Sequence, residues 1–323
     1  MILVTGGAGY IGSHVVLALQ AAGFGVLVLD NLSHGHREFV PPEILQTMDL
    51  EDRAGLARLF AEHPIEAVVH MAAFIEVGES VRKPDVYYRN NVYGTLCLLE
   101  AMVAAEVRAL VFSSTCAIYG EPQALPLTEE HPQHPLSPYG AGKMTVERIL
   151  GDFDAAYALR SVAFRYFNAA GAHPEVRIGE DHRPESHLIP LVLDAAMGRR
   201  SLITIFGEDY STPDGTCVRD YIHVCDLADS HVLGVKYLLG GGASNAFNLG
   251  NGNGFSVREV IETVERVSGR QVTIQVGARR PGDPAVLVGS SARARQLLGW
   301  TPRFDSLETI VSTAWDWHQY RFE

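Results

Sequence analysis

Ile2-Leu3-Val4-Thr5-Gly6-Gly7-Ala8-Gly9-Tyr10-Ile11-Gly12 opens the chain as a short β-rich run, a glycine loop and the start of a helical pattern. Gly7, Gly9 and Gly12 satisfy G-x-G-x-x-G; Gly6, Gly9 and Gly12 satisfy G-x-x-G-x-x-G equally well. Glycines at these spacings permit a tight turn, close backbone approach to a pyrophosphate and tight helix–strand packing. The helix N-terminus then offers unpaired N–H groups and partial positive charge to phosphates. An ordinary glycine-rich βα turn could carry the same pattern, but its position between strand one and helix one favours nucleotide binding. Asp30 ends the next apolar run, about where an acidic residue hydrogen-bonds an adenosine ribose. A carboxylate there repels a 2′-phosphate, which selects NAD over NADP.

Outward from this loop, short apolar runs alternate with helical patterns. Strands are expected at 2–5, 26–30, 65–70, 108–113 and 161–166, with a weaker one at 44–50. Helices are expected at 10–22, 52–62, 84–105 and 138–157, the second ended by Pro64. Alternation of this kind implies a Rossmann-like, doubly wound α/β fold with a parallel sheet. After about Ala169 the rhythm changes and Gly and Pro become more frequent. The expected division is a dinucleotide-binding domain over 1–168 and a smaller α/β substrate-binding lobe over 169–323. The segment 220–239 should return to the first domain before the turn Gly240-Gly241-Gly242.

Composition narrows the function. The 323 residues are 47% apolar and 20% charged, as in a globular enzyme. The formal net charge of −12 and the lack of a Lys/Arg run exclude nucleic acid as the expected partner. The four cysteines (Cys97, Cys116, Cys217, Cys225) have no CxxC spacing and read as free thiols. No signal-peptide pattern and no run of about 18 apolar residues appears, so the expected setting is the cytoplasm, off the membrane.

The chemistry is carried by Ser137-Pro138-Tyr139-Gly140-Ala141-Gly142-Lys143. Ser137 suits an N-cap and Pro138 the first helical turn. Tyr139 and Lys143 then share one helix face. A tyrosine with an ordinary pKa near about 10 is a poor base at neutral pH. A nearby ammonium and a cationic nicotinamide favour the phenolate, which can take a proton from a sugar hydroxyl. YxxxK alone is common on amphipathic helices. Here Ser113-Ser114-Thr115 supports it, at the carboxyl end of a strand, where ligands bind in such sheets and where these hydroxyls should face the cofactor cleft.

Together, the glycine loop, Asp30-Asn31, Asn90-Asn91-Val92, Ser113-Ser114-Thr115, Tyr139-xxx-Lys143 and Arg165-Tyr166-Phe167-Asn168 resemble the extended short-chain dehydrogenases. Val77-Gly78-Glu79-Ser80, Ala170-Gly171-Ala172-His173-Pro174, the run GTCVRDYIH from Gly215 to His223, and RRPGD from Arg279 to Asp283 narrow the resemblance to the UDP-glucose (UDP-galactose) 4-epimerase family, nearly end to end. The resemblance implies a tightly held NAD and reversible 4-epimerisation through a transient 4-keto sugar. Tyr139 would act as base, Lys143 would bind the nicotinamide ribose, and Thr115 would hydrogen-bond the 4-oxygen. It carries cofactor contacts to Gly6, Gly9, Tyr10, Ile11, Gly12, Asp30, Asn31, Leu32, Ser33, His34, Gly35, Asp49, Leu50, Ala72, Ala73, Asn90 and Phe167. Nucleotide-sugar contacts fall on Asn168, His187, Leu188, Phe206, Arg219, Arg280, Asp283 and Leu287. It also implies a homodimer through the helices at 84–105 and 138–157.

Three positions depart from the pattern. Ile75 replaces a lysine found near the phosphates in some members. His187 replaces an asparagine. Leu287 is neither the small residue that admits N-acetylated sugars nor the tyrosine that excludes them, so UDP-GlcNAc stays open as a substrate; UDP-pentoses and UDP-uronates stay open because they are told apart by only a few pocket contacts. No His/Asp/Glu set has convincing metal-ligand spacing, and no metal is expected. Nucleotide-hexose 4,6-dehydratases place Asp-Glu after the Ser/Thr; Cys116-Ala117 here cannot transfer those protons. A non-catalytic NAD-binding protein would typically have lost Tyr139 or Lys143, and a simple alcohol dehydrogenase would release NADH at each turnover.

Overall fold

The computed structural model describes residues 1–280 and 282–323. Strand β1 (Ile2–Thr5) alternates its side chains, so Ile2 and Val4 enter the core on one face of a sheet and Leu3 the core on the other. The glycine loop follows, then helix α1 (Tyr10–Ala21), β2 (Val26–Asp30) and β3 (Leu45–Thr47). Helix α2 (Arg53–Glu62) is capped by Asp52, whose side chain accepts from Gly55 N. Next come β4 (Ala67–His70), α3 (Val77–Arg82) and α4 (Pro84–Tyr88). A π-helical turn (Arg89–Tyr93) joins α4 to α5 (Gly94–Ala104), interrupting the single helix expected over 84–105. Strand β5 (Ala109–Ser113), α6 (Pro138–Tyr157) and β6 (Arg160–Tyr166) complete the first half, with Ser137 and Pro138 in the expected capping positions of α6.

The second half holds β7 (Asn168–Ala170), α7 (Leu188–Ala196), β8 (Ile203–Phe206), β9 (Val218–His223), α8 (Val224–Leu239), β10 (Asn245–Leu249), β11 (Gly254–Ser256), α9 (Val257–Ser268), β12 (Ile274–Gly277), β13 (Val286–Leu287), α10 (Ala292–Leu298) and α11 (Leu307–Phe322).

Seven strands form one parallel sheet in the order β3-β2-β1-β4-β5-β6-β10. Helices cover both faces. Helices α1 and α8 bury Val15, Leu19, Leu227 and Val235 on one side. Leu56, Leu98 and Val146 of α2, α5 and α6 fill the other. Strand order reverses between β1 and β4, the switch point at which such sheets bind ligands. A smaller sheet centres on β9, flanked by β7, β11 and β13, and packs with α7, α9 and α11. The returning stretch differs from expectation at both ends. Asp220–His223 belongs to β9 of the small sheet, and the return continues past 239 into β10, which pairs with β6. No helix among the described residues is long and apolar enough to cross a membrane.

Candidate active site

The glycine loop is closed by sterics. Gly6 has φ +71°, and a Cβ there would lie 2.6 Å from the backbone nitrogen of Ala72. A Cβ on Gly12 would lie 2.1 Å from the Gly6 carbonyl oxygen. The loop therefore rests against Ala72-Ala73, just after β4, and leads through Gly9 into Tyr10 and Ile11 of α1. Asp30 is buried, which raises its carboxyl pKa. Its Oδ2 accepts from Ala8 N (3.0 Å) and its Oδ1 from Leu32 N (2.8 Å), so it pins the glycine loop to the turn after β2. In that turn Leu32 is left-handed (φ 59°), Ser33 N donates to Asn31 Oδ1, and Gly35 lies against both Asp30 oxygens. Asn31 Nδ2 donates to Asp49 Oδ2 (2.8 Å), bringing Asp49 and Leu50 to the same rim, and His34 meets Phe74 edge to face. Asn90 sits in the π turn, where its Nδ2 donates to Asn91 Oδ1. Asn91 clamps both the N–H and the C=O of Phe74.

At the carboxyl end of β5 the expected chemical groups gather. Helix α6 begins at Pro138, and Tyr139 N donates to Ser80 Oγ (3.2 Å), which explains the motif ending at Ser80. Lys143 is 2% exposed and Nζ donates to the Ser113 carbonyl (2.7 Å) above the Phe112 ring. Burial holds its ammonium down to about 7, with the Glu147 carboxylate opposing. Burial raises the Tyr139 phenol well above its ordinary value; Tyr166 adds to this, and a hydrogen bond from Thr115 opposes it. Thr115 is almost buried, and its Oγ1 accepts from Ala117 N.

The three hydroxyls do not all face the cleft as expected. Thr115 lies at Tyr139 and Ser113 pairs with the Tyr166 hydroxyl, but Ser114 donates inward to Glu147. The reason is a buried polar network that spacing does not reveal. Glu147 pairs with Arg165, both nearly enclosed; Arg165 Nη1 donates to Tyr119 OH, which donates to Asn248 Oδ1 of β10. His70 is a second unanticipated member: it bridges Thr5 Oγ1 and Thr95 Oγ1, both at 2.7 Å, beneath the switch point.

The substrate-side candidates converge from the small sheet. Phe167 packs with Ile118, Tyr119, Leu127 and Leu287. Asn168 Nδ2 donates to the Asp220 carbonyl (2.8 Å). Leu287 of β13 lies opposite Arg219 of β9, and Arg219 pairs with Asp283. Arg280 stacks on Phe206 with 4.0 Å to the ring centroid. Asp283 Oδ1 therefore holds the Arg219 guanidinium. His187 caps α7, directly before Leu188. Ile75 is exposed. Contrary to the reading from spacing, one metal-type group does form: Glu180, His182, Glu185 and His187 place their ligand atoms within 4.8 Å of one another. Its signal was E-x-H-x-x-E-x-H within eight residues. A search for helical i, i+4 pairs passes over it, because the ligands come from a loop.

Residues 2–250 match the model of the NAD dependent epimerase/dehydratase family. A UDP-glucose 4-epimerase of Rhizobium leguminosarum bv. trifolii is 55% identical over 317 residues, covering 98% of this chain and 97% of its own. A UDP-glucose 4-epimerase crystal structure superimposes with a TM-score of 0.97 at 51% identity, covering 99% of this chain and 98% of that one. The UDP-glucose 4-epimerase of Brucella ovis in complex with NAD does so with a TM-score of 0.96 at 46% identity, covering 98% and 97%.

Proposed function

The chain belongs to the NAD dependent epimerase/dehydratase family, and from this we propose that it interconverts UDP-galactose and UDP-glucose by NAD-dependent epimerisation at C4, through a transient 4-keto sugar. The observation that carries the reading is the meeting of Tyr139, Thr115 and Lys143 at the carboxyl end of β5. When bound, NAD supplies the hydride acceptor and donor for C4 and, in its oxidised form, the positive charge that favours a phenolate. Tyr139 takes the 4-hydroxyl proton and returns it to the 4-oxygen after the sugar has presented its other face. Thr115 hydrogen-bonds that oxygen. Lys143, held by the Ser113 carbonyl, binds the nicotinamide ribose. The residue after Thr115 is Cys116, half-buried with its thiol pushed up to about 12, so no acid stands there for dehydration.

Asp30 and the turn to Gly35, Asp49-Leu50, Ala72-Ala73, Asn90 and Phe167 form the cofactor's bed in this reading. Arg219 and Arg280 neutralise the nucleotide's diphosphate through charge-assisted hydrogen bonds. Asp283 orients Arg219, and Asn168, His187, Leu188, Phe206 and Leu287 shape the rest of the nucleotide-sugar site. We further propose a homodimer. Val81, Val86, Tyr88, Tyr93 and Tyr157 are exposed on α3, α4, the π turn and α6, an apolar surface that a second copy would cover. The four unbridged cysteines fit a reducing, cytoplasmic setting.

The test is to incubate purified protein with UDP-galactose alone and follow the products by proton NMR. Equilibration with UDP-glucose without added NAD and without net NADH is expected. A folded protein that converts nothing, even with NAD supplied, would sink the assignment. UDP-GlcNAc assayed in parallel reads the effect of Leu287.

A further inference from the structure

The loop before α7 gathers two imidazoles and two carboxylates that the epimerase chemistry does not use. His187 Nδ1 lies 2.7 Å from Glu180 Oε1 and 3.0 Å from Glu185 Oε1. His182 Nδ1 lies 3.1 Å from Glu180 Oε1 and 3.7 Å from Glu185 Oε2. Both imidazoles thus turn the same ring nitrogen to the same two carboxylates. One N–H cannot donate well to two oxygens at once, and Glu180 Oε1 faces both rings. One ligand atom from each of the four residues lies within 4.8 Å of the others, a spacing that a coordination shell can use. A tetrahedral zinc with bonds of about 2.0–2.1 Å has ligand–ligand edges of roughly 3.3–3.4 Å. The separations to Glu180 Oε1 and Glu185 Oε1, 2.7, 3.0 and 3.1 Å, are shorter than that edge, so the ligands would open slightly around an ion.

Charge and burial point the same way. The side chain of Glu180 is 7% exposed and that of Glu185 14%. In the metal-free loop the two carboxylates favour protonated imidazoles, which balance their charge; a divalent cation would take over that balance by displacing the two protons. The donor set, two nitrogens and two oxygens, suits a first-row divalent ion. The frame around it is firm. Trp317 Nε1 donates to the Glu180 carbonyl, His36 Nε2 bonds the Asp181 carbonyl, and Arg321 pairs with Asp181.

We propose that Glu180, His182, Glu185 and His187 bind one divalent transition-metal ion, zinc by geometry, as a structural clip. The ion ties the loop anchored on α11 to the head of α7 and so fixes His187 and Leu188. His187 and Leu188 also belong to the proposed nucleotide-sugar site, so the clip's effect on substrate binding rests on that reading, whereas metal binding itself does not.

The experiment uses the NAD-bound enzyme. Protein stripped with a chelator is reconstituted with Zn²⁺ or Co²⁺, gel-filtered, and analysed for metal by mass spectrometry and for Co²⁺ by its visible spectrum. We expect about one equivalent per chain and intense tetrahedral d–d bands that stoichiometric Zn²⁺ erases. Thermal unfolding should shift upward on reloading. The double variant His182→Ala/Glu185→Gln should lose both the metal and the bands while keeping its NAD. Should that variant not fold, the cobalt spectrum of the unaltered chain decides alone. Absence of tetrahedral bands, or the same equivalent retained by a folded double variant, overturns the proposal.

Discussion

At the residue scale, the site separates groups that do chemistry from groups that hold them. Tyr139→Phe keeps the ring and its packing but removes the proton carrier, so kcat for UDP-galactose should fall about 10²–10⁴-fold with bound NAD unchanged, as read by NMR time courses and cofactor release. Lys143 is a buried ammonium whose pKa burial has driven down to about 7. Replacing it with an isosteric apolar chain removes that cost. Lys143→Met should therefore raise the unfolding free energy read from urea titration, by on the order of 1 kcal/mol, while lowering kcat. A variant both less stable and inactive would show that the ammonium supports the fold instead. Glu147→Gln acts in the opposite sense. It strands the Arg165 guanidinium and should cost about 3–5 kcal/mol in chemical unfolding. Tyr139, Lys143 and Asp30 were legible in the sequence because their meaning lies in local spacing: four residues along a helix, or the end of a strand after a glycine loop. Glu147, Arg165 and His70 were not, because each acquires its role from partners 18 to 65 residues away.

At the element scale, the helix expected over 84–105 is continuous in direction but carries the π turn at Arg89–Tyr93. Propensity does not announce such a turn, and π turns concentrate at functional sites. Here it directs Asn91 inward to satisfy both backbone groups of Phe74 and leaves Asn90 beside it, on the proposed cofactor side. Asn91→Ala leaves those two groups without their partner, at a cost of about 1–3 kcal/mol. It should also speed the loss of NAD in a dilution assay. Undiminished stability would mean that water replaces the amide freely. Helix α6 was readable to its ends, since Ser137 and Pro138 mark its start and its apolar face repeats. Strands β7, β10 and β13 were not. β7 and β13 have 3 and 2 residues, too few for a periodicity; the 5 residues of β10, Asn245–Leu249, are broken by two asparagines; all three exist because β6 and β9 offer them an edge.

At the scale of the whole molecule, buried histidines set a pH limit. Burial holds His70 and His223 down to about 3 and His231 to about 4. An unfolded imidazole titrates near about 6.5, so the unfolded chain takes up protons first on acidification. The contribution of these groups is complete above about pH 6.5 and is lost below it, at up to about 1.4 kcal/mol per pH unit for each ring. Asp220, raised to about 6 by burial, has the opposite sign and adds stability as pH falls from about 6 toward 4, offsetting one ring in that lower range. Urea midpoints should therefore drop between pH 6.5 and 5; a flat or rising profile would contradict the assignment of neutral buried rings. The path of the chain between its two sheets has a different consequence. It passes from β6 to β7, from β9 into α8, from β10 to β11, and from β13 to α10. The second crossing has no linker at all, since His223 ends the strand and Val224 begins the helix. A body stitched together along several short seams has no single hinge about which to gape. Its compliance lies in side chains and surface turns, so prising one sheet from the other must strain several backbone joints at once, and the frame behaves more like a riveted plate than a jaw.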